Sequence, residues 1–212
     1  MINKYIYEGS VTYIHNEYSA RRIYKHLGKI KIISLLRDPI ERAVSHYKYY
    51  TNPDSTFARK NPSDLETRSI EEAFYDDIKR VDQNPNKQYL RFGLYDKQLN
   101  DYYKYFGDSR ILVIDFDDLK NKAAKVMKEV SEFLNIERNF FNDFISCNEK
   151  IESLDSFNQI NIKKTFSAYN AQVYDFELDQ QLEEDLINFF RSDVKRLSQR
   201  IDKNFIWMEK YL

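Results

Sequence analysis

Apolar and polar positions along this chain fall into blocks that predict strands and helices in turn. The clearest block spans residues 29–50, where an apolar run at 30–36 stops at Arg37 and a helical pattern begins at once. An apolar run rich in β-branched residues predicts a strand that is buried on both faces of a parallel sheet. Asp38 is a favourable N-cap and Pro39 suits the first helical position, so the start of the helix is well marked.

The remaining blocks continue this alternation, which favours an α/β fold with a parallel sheet. The pattern predicts helices at residues 16–27, 69–81, 90–106, 121–135 and 179–201. It predicts short strands at residues 5–10 and 110–116, and a long polar loop at residues 51–69. Residues 147–171 show no clear period, and the chain has no internal repeat.

The turn after the first clear strand carries candidate binding chemistry. Arg37 stands at the strand tip, and Arg42 and Ser45 follow on the new helix. Open α/β sheets bind ligands at the carboxyl ends of their strands. A guanidinium fork, a hydroxyl and the positive end of a helix together favour an anion, most simply a phosphate. The alternative is a well-capped amphipathic helix whose Arg42 is a surface charge.

The spacing Arg37-x-Pro39-x-x-Arg42-x-x-Ser45-x-Tyr47 resembles a known element. It is similar to the 3′-phosphate-binding element of sulfotransferases that use 3′-phosphoadenosine 5′-phosphosulfate (PAPS). The match lies closest to the heparan-sulfate-type and bacterial branch. The resemblance implies that Arg37 and Ser45 bind the 3′-phosphate of PAPS or of its product, adenosine 3′,5′-bisphosphate (PAP). Arg42 is a further cofactor-binding candidate, expected to brace the loop through nearby carboxylates.

Later segments extend this resemblance from about Glu8 to Trp207. They are the helix that follows Gly93-Leu94-Tyr95, the strand and turn at 110–119, the helix end at 126–136 and the terminal helix at 182–197. The resemblance therefore predicts a P-loop-like sulfotransferase fold, a parallel sheet flanked by helices. We expect one sulfotransferase domain over residues 1–212.

The opening element of the family is not found in this sequence. The four glycines do not start a Lys-x-Gly-[ST] run, the loop that binds the 5′-phosphosulfate in the family. We therefore expect the chain to lack the family's first strand, phosphate loop and usual catalytic base. Glu8 resembles a glutamate that the family keeps near the acceptor, and it is the candidate catalytic residue. Lys163 and Lys164 fall where the family places a basic loop over the cofactor, although a solvated charge pair is an equal alternative.

The resemblance implies sulfuryl transfer from PAPS to the hydroxyl or amine of a small-molecule, lipid or carbohydrate acceptor. Two alternatives stay open. The chain is an inactive remnant or a part of a split enzyme that binds only PAP or PAPS, or it is a nucleotide-binding module related to P-loop kinases. A sheet without its central strand also predicts self-association or a partner that supplies the strand.

Composition limits the classes of binding partner and the cellular compartment that we expect for this protein. The 212 residues carry a net charge of −1, which argues against nucleic acid or a dense polyanion and leaves a local basic patch open. The single cysteine, Cys147, excludes an internal disulfide and predicts a cytoplasmic protein. No apolar stretch is long enough to span a membrane. The histidines lack metal-ligand spacing, and the acidic cluster at 115–118 is expected to cap a helix.

Overall fold

A computed structural model describes residues 6–55, 59–81, 84–137 and 178–212 of the chain. Its sheet pairs strand β1 (Ile32–Leu36) with strand β2 (Ile111–Asp115) in parallel. In this register Ile32 lies opposite Ile111, and Leu36 lies opposite Asp115. The parallel pairing across an intervening helical stretch confirms the predicted α/β class.

Helices surround this small sheet. They are α1 (Ser19–Leu27), α2 (Pro39–Thr51), α3 (Ile70–Lys79), α4 (Tyr95–Phe106), α5 (Phe116–Asn121), α6 (Ala123–Leu134) and α7 (Gln180–Ile201). Short 3₁₀ turns occupy Pro62–Asp64, Pro85–Lys87, Arg91–Gly93, Asp108–Arg110 and Ile206–Tyr211. Helix α7 packs against α4 and α2, and α1 packs against α4.

Local capping chemistry sets several of these helix ends. The Ser69 side chain accepts from the backbone of Glu72, whose carboxylate accepts from the Ser69 N–H, which closes a capping box at the start of α3. Asn135 ends α6 in the left-handed conformation, with φ 59°, a conformation that asparagine tolerates well. Asp179 caps the long helix α7.

The structure corrects three expectations. Strand β1 is not buried on both faces, because Ile33 and Leu35 are 42% and 45% exposed while alternate positions face the core. Residues 6–10 form no strand; they are exposed and have no ladder partner among the described residues. Helix α4 begins at Tyr95 instead of residue 90, since the 3₁₀ turn before it bends the chain. The aperiodic stretch at 147–171 lies outside the described residues.

Large aromatic rings fill much of the core, as the composition indicates. Several of them contact one another between α2, α3 and the segment before α4. The tyrosine, phenylalanine and tryptophan residues of the core are Tyr47, Tyr50, Phe74, Tyr89, Tyr95, Tyr102, Phe106, Phe190, Phe205, Trp207 and Tyr211. This core lies beneath the turn that joins β1 to α2.

Candidate functional site

The turn from β1 into α2 uses its own backbone donors internally. The Asp38 Oδ1 atom accepts from Ile40 N at 2.7 Å and from Glu41 N at 3.1 Å. The Asp38 carbonyl accepts from Arg42 N, and Pro39 has no N–H to offer. The first-turn donors that often bind anions at a helix start are therefore occupied. An anion at this turn would meet side chains instead.

The Arg37 guanidinium and the backbone N–H of Ser45 share one carbonyl oxygen as acceptor. The Arg37 Nη2 atom donates to the Glu41 carbonyl at 3.3 Å. In regular α-helical geometry that carbonyl also accepts the N–H of Ser45, four residues on. The guanidinium thus lies against the helix face that carries Ser45. Neither an ion pair of Arg37 nor a hydrogen bond of the Ser45 hydroxyl is found within the described ranges.

Tyr95 supports this turn from below. Its hydroxyl accepts from the backbone N–H of Arg37 and contacts the guanidinium of Arg42. Burial raises the pKa of Tyr95 to about 12, against the opposing effect of the two arginines, so the phenol stays neutral. Arg42 also donates through Nη2 to the carbonyl of Tyr89. Its guanidinium therefore braces the turn through a carbonyl and a phenol instead of the carboxylates that the sequence suggested.

The carboxyl-terminal 3₁₀ turn clamps the other side of the site. The Tyr211 hydroxyl donates to Asp38 Oδ1 at 3.0 Å, and the Lys210 ammonium lies 2.6 Å from Asp38 Oδ2. Burial and the neighbouring Asp38 charge raise the pKa of Tyr211. Sequence reasoning missed both residues, and their only signal was the general resemblance of this end of the chain around Trp207.

Gly93 lets the segment before α4 approach the turn closely. A Cβ atom at this position would lie 2.9 Å from Pro39 Cβ and 2.9 Å from Phe190 Cε1. These distances are shorter than carbon atoms can approach without displacement, so glycine fits here and a larger residue does not. The glycine of the Gly93-Leu94-Tyr95 motif therefore has a packing role directly under the start of α2.

Two histidines near Arg42 stack on the ring of Phe92. His15 stacks on Phe92 with ring centroids 4.1 Å apart, and His46 stacks on it at 5.6 Å. Burial, followed by the Arg42 charge, lowers the pKa of His46 to about 3. The same two causes lower the pKa of His15. His46 is thus a packed, neutral imidazole.

The other predicted site residues lie apart from this turn. Glu8 is exposed, and its contact with the hydroxyl of Tyr13 raises the pKa of that tyrosine. No hydrogen bond or ion pair joins Glu8 to Arg37 or Ser45 in the described part of the chain. Lys163 and Lys164 lie outside the described residues.

The acidic cluster after β2 has a structural role. The Asp115 carboxylate accepts from Asp117 N at 3.1 Å and caps α5. This confirms the capping interpretation. No group of three or more histidine, cysteine or acidic residues in the described ranges has the arrangement of a metal site. The helices within those same ranges include none with the length and apolar character required to cross a bilayer.

Comparisons with known proteins identify the family of the chain. The sequence model of the family described as "Sulfotransferase domain" matches residues 10–200. Human bifunctional heparan sulfate N-deacetylase/N-sulfotransferase 3 is 29% identical over 138 residues, which cover 62% of this chain and 14% of the relative. Human heparan sulfate glucosamine 3-O-sulfotransferase 5 is 30% identical over 129 residues, which cover 61% of this chain and 35% of the relative.

A solved structure has a similar fold. The crystal structure of a sulfotransferase from Alicyclobacillus acidocaldarius superposes with a TM-score of 0.65 at 25% sequence identity, and the match covers 93% of this chain and 65% of that one. This chain thus spans less than two thirds of the length of the relatives described here.

Proposed function

The chain belongs to the PAPS-dependent sulfotransferase family, and we propose that it transfers a sulfuryl group from PAPS to a hydroxyl or amine of a carbohydrate. The names of two relatives specify heparan sulfate, which supports a carbohydrate over the small-molecule and lipid acceptors that the sequence left open. The chemistry supplied by bound PAPS is an activated sulfuryl group on a phosphosulfate anhydride. We propose one domain over residues 1–212.

One observation supports the nucleotide site most strongly. The Arg37 guanidinium donates to the Glu41 carbonyl, one helical turn before Ser45, and no ion pair of Arg37 and no hydrogen bond of the Ser45 hydroxyl is found in the described part of the chain. A guanidinium fork and a hydroxyl on the same helical turn are groups that bind phosphate oxygens. We assign these two side chains to the 3′-phosphate, with Arg42 and Tyr95 as positioning residues beneath them.

Glu8 is the residue that we propose to act on the acceptor. This exposed carboxylate is the candidate that takes the proton from the acceptor, and Tyr13 is its hydrogen-bonding neighbour. Lys163 and Lys164 stay predicted contacts of the nucleotide. The cytoplasmic location inferred from the single cysteine also stays a prediction.

Calorimetric titration with PAP tests the nucleotide site. We expect Arg37→Ala and Ser45→Ala each to weaken PAP binding about ten- to a hundredfold, because a hydrogen bond to a charged group contributes about 1.5–3 kcal/mol. Arg191→Ala, an exposed arginine on α7, is the control and should bind PAP like the parent chain. Equal affinities in all four proteins would contradict the assignment. Preference for ATP over PAP would favour the kinase-related alternative.

Transfer assays with labelled PAPS test the activity itself. We offer a partly N-deacetylated heparosan oligosaccharide, which presents both amines and hydroxyls. Glu8→Gln should slow transfer and leave PAP affinity unchanged, since it removes a proton acceptor and no nucleotide contact. PAP binding without any transfer would favour the alternative of a chain that binds PAP or PAPS only.

The exposed face of β1 is a candidate surface for association with another copy of the chain or with a partner. Ile33 and Leu35 present half-exposed apolar side chains on one face of the strand, and β1 pairs only with β2 in the described ranges. A face of this kind favours an additional covering element. We therefore keep self-association, or a partner that supplies a strand, as part of the proposal.

A further inference from the structure

Helix α1 carries a basic surface on a chain that is nearly neutral overall. Arg21, Arg22 and Lys25 are all exposed on this nine-residue helix, which contains no acidic residue. With Tyr18 and His26 they line a shallow cleft of about 320 Å³. We call the surface formed by Tyr18, Arg21, Arg22 and Lys25 the basic face of α1. The net charge of −1 therefore conceals a local concentration of positive charge.

These cations are not neutralised within the described part of the chain. Arg21, Arg22 and Lys25 form no ion pair with any residue there. The acidic residue nearest in sequence, Glu17, accepts a hydrogen bond from the hydroxyl of Tyr18, which raises the pKa of that tyrosine. Three exposed cations on one short helix repel one another, so their arrangement favours a ligand that supplies negative charge.

The basic face is tied to the segment that carries the proposed acceptor residue. The Tyr102 hydroxyl donates to the Tyr13 carbonyl at 2.8 Å and also bonds the side chain of Ser19 at the start of α1. Tyr13 in turn contacts Glu8. One tyrosine of α4 therefore anchors both the segment that follows Glu8 and the first turn of α1, so these two parts of the chain are neighbours.

We propose that the basic face of α1 binds an acidic polysaccharide chain and thereby extends the acceptor site. Arginine forks pair with carboxylates and sulfates through two parallel hydrogen bonds, and the 62% exposed ring of Tyr18 offers an apolar surface to a sugar. This inference rests on the proposed carbohydrate acceptor and adds where an anionic chain of that acceptor is held.

A membrane surface fits these observations less well. Helices that lie on a bilayer insert an apolar face, but the apolar face of α1 is used inside the protein. Ala20 is 1% exposed and Ile23 packs against the main core.

The test measures binding of a heparin octasaccharide to the purified chain by calorimetry at low salt. The variant Arg21→Ala/Arg22→Ala/Lys25→Ala should bind the octasaccharide about ten- to a hundredfold more weakly, because each cation near a polyanion contributes to affinity. The control Lys97→Ala/Arg191→Ala/Lys195→Ala removes the same charge from exposed positions on α4 and α7. It should keep the parent affinity to within about twofold.

Two further ligands decide the chemistry of the partner. If neutral maltooctaose binds as tightly as the heparin octasaccharide, the negative charge of the ligand is not what the basic face of α1 recognises, and the proposal is wrong. A single-stranded DNA of matched charge that binds as tightly would overturn the assignment to a polysaccharide. Unchanged octasaccharide affinity in the α1 triple variant would overturn the location.

PAP titrations on the same proteins separate this inference from the proposed function. The α1 triple variant should bind PAP normally, whereas Arg37→Ala should lose PAP affinity and keep the octasaccharide. A parent chain that binds the octasaccharide through α1 but never binds PAP would refute the nucleotide site and leave the polysaccharide surface standing.

Discussion

The Tyr211 hydroxyl and the Asp38 carboxylate meet at 3.0 Å although they stand 173 positions apart in the chain. Asp38 is only 2% exposed, so the donors that surround it replace the hydrogen bonds that water would otherwise supply. They are two backbone N–H groups of α2, the Lys210 ammonium and this phenol. The far end of the chain thereby fixes the turn that presents Arg37.

Tyr211→Phe tests this clamp. The variant keeps the ring in the core and removes one donor from a buried carboxylate, which should lower the free energy of unfolding by about 1–3 kcal/mol. Urea denaturation followed by fluorescence measures the change. Tyr24→Phe removes the hydroxyl of a tyrosine at the edge of the core and should leave the unfolding midpoint nearly unchanged. Equal effects of the two substitutions would show that the Asp38 contact contributes nothing specific.

Gly93→Ala should destabilise the protein by about 1–3 kcal/mol, the usual range for overpacking. The added methyl group would lie 2.9 Å from both Pro39 and Phe190, so the start of α2 or the ring must shift. We also expect weaker PAP binding, since the shifted turn carries Arg37. Gly9→Ala is the matched control, because nothing lies within 4 Å of a Cβ there. A Gly93→Ala protein with the parent midpoint would mean that α2 moves without cost.

Local chemistry explains which of these features could be predicted from the sequence. The capping box of Ser69 and Glu72, the left-handed Asn135 and the Asp38 cap each depend on neighbours within a few positions, so the sequence displays them directly. The β1–α2 turn follows for the same reason.

Contacts between distant segments could not be predicted in this way. The packing of Gly93 on Pro39, the bond from the Arg37 N–H to Tyr95 and the clamp by Tyr211 join residues whose local patterns carry no sign of one another. The exposure of one face of β1 could not be predicted for a related reason. The length of an apolar run does not reveal which of its two faces packs against another element.

Glu66 is predicted to hold the loop before α3 in place. Its side chain is 1% exposed and accepts from Arg68 Nη2 at 2.7 Å and from the Tyr89 hydroxyl at 2.8 Å. Burial would raise the pKa of Glu66, but hydrogen bonds from Arg68 and then Tyr89 outweigh it and lower the pKa to about 2. Its stabilising effect is therefore present above about pH 4.5 and is lost as the pH falls toward 2.

Glu66→Gln should lower the free energy of unfolding by about 1.5–3 kcal/mol at neutral pH, because a neutral amide replaces the buried carboxylate that accepts from Arg68 and Tyr89, while Arg68 keeps its ion pair with Asp76. Tyr89, whose carbonyl accepts from Arg42, would lose its anchor, so PAP binding should weaken as well. Glu209→Gln changes an exposed glutamate and serves as the control. Denaturation curves of the three proteins that coincide would rule out this role for Glu66.

The β1 face makes a prediction about association. If Ile33 and Leu35 hold copies of the chain together, Ile33→Thr/Leu35→Thr should shift sedimentation toward the monomer at a fixed protein concentration. Threonine keeps the branched shape that strands favour, so the fold should survive. Val81→Thr, at a 63% exposed position outside the sheet, should sediment like the parent. A parent chain that is monomeric at every concentration would exclude self-association through this face.

His46 is expected to make the fold less stable at mildly acidic pH. The imidazole faces Arg42, His15 and the rings of Tyr50, Tyr89 and Phe92, and its pKa is about 3 in the folded chain against 6.5 for an ordinary histidine. Below about pH 6.5 His46 therefore binds a proton in the unfolded chain, whereas it stays neutral in the folded chain. Stability should fall as the pH is lowered from about 6.5 toward 3, by up to about 1.4 kcal/mol for each pH unit.

His46→Phe should flatten this dependence, because a phenyl ring fills the same aromatic surroundings and does not titrate. Urea unfolding at about pH 7.5 and about pH 5 measures the difference for each protein. The residual slope of the variant includes the contribution of His15, whose pKa is lowered in the same direction. His26→Phe alters an exposed histidine of α1 and should keep the slope of the parent. If His46→Phe loses as much stability between the two pH values as the parent chain, the acid sensitivity arises elsewhere and His46 is protonated without cost to the fold.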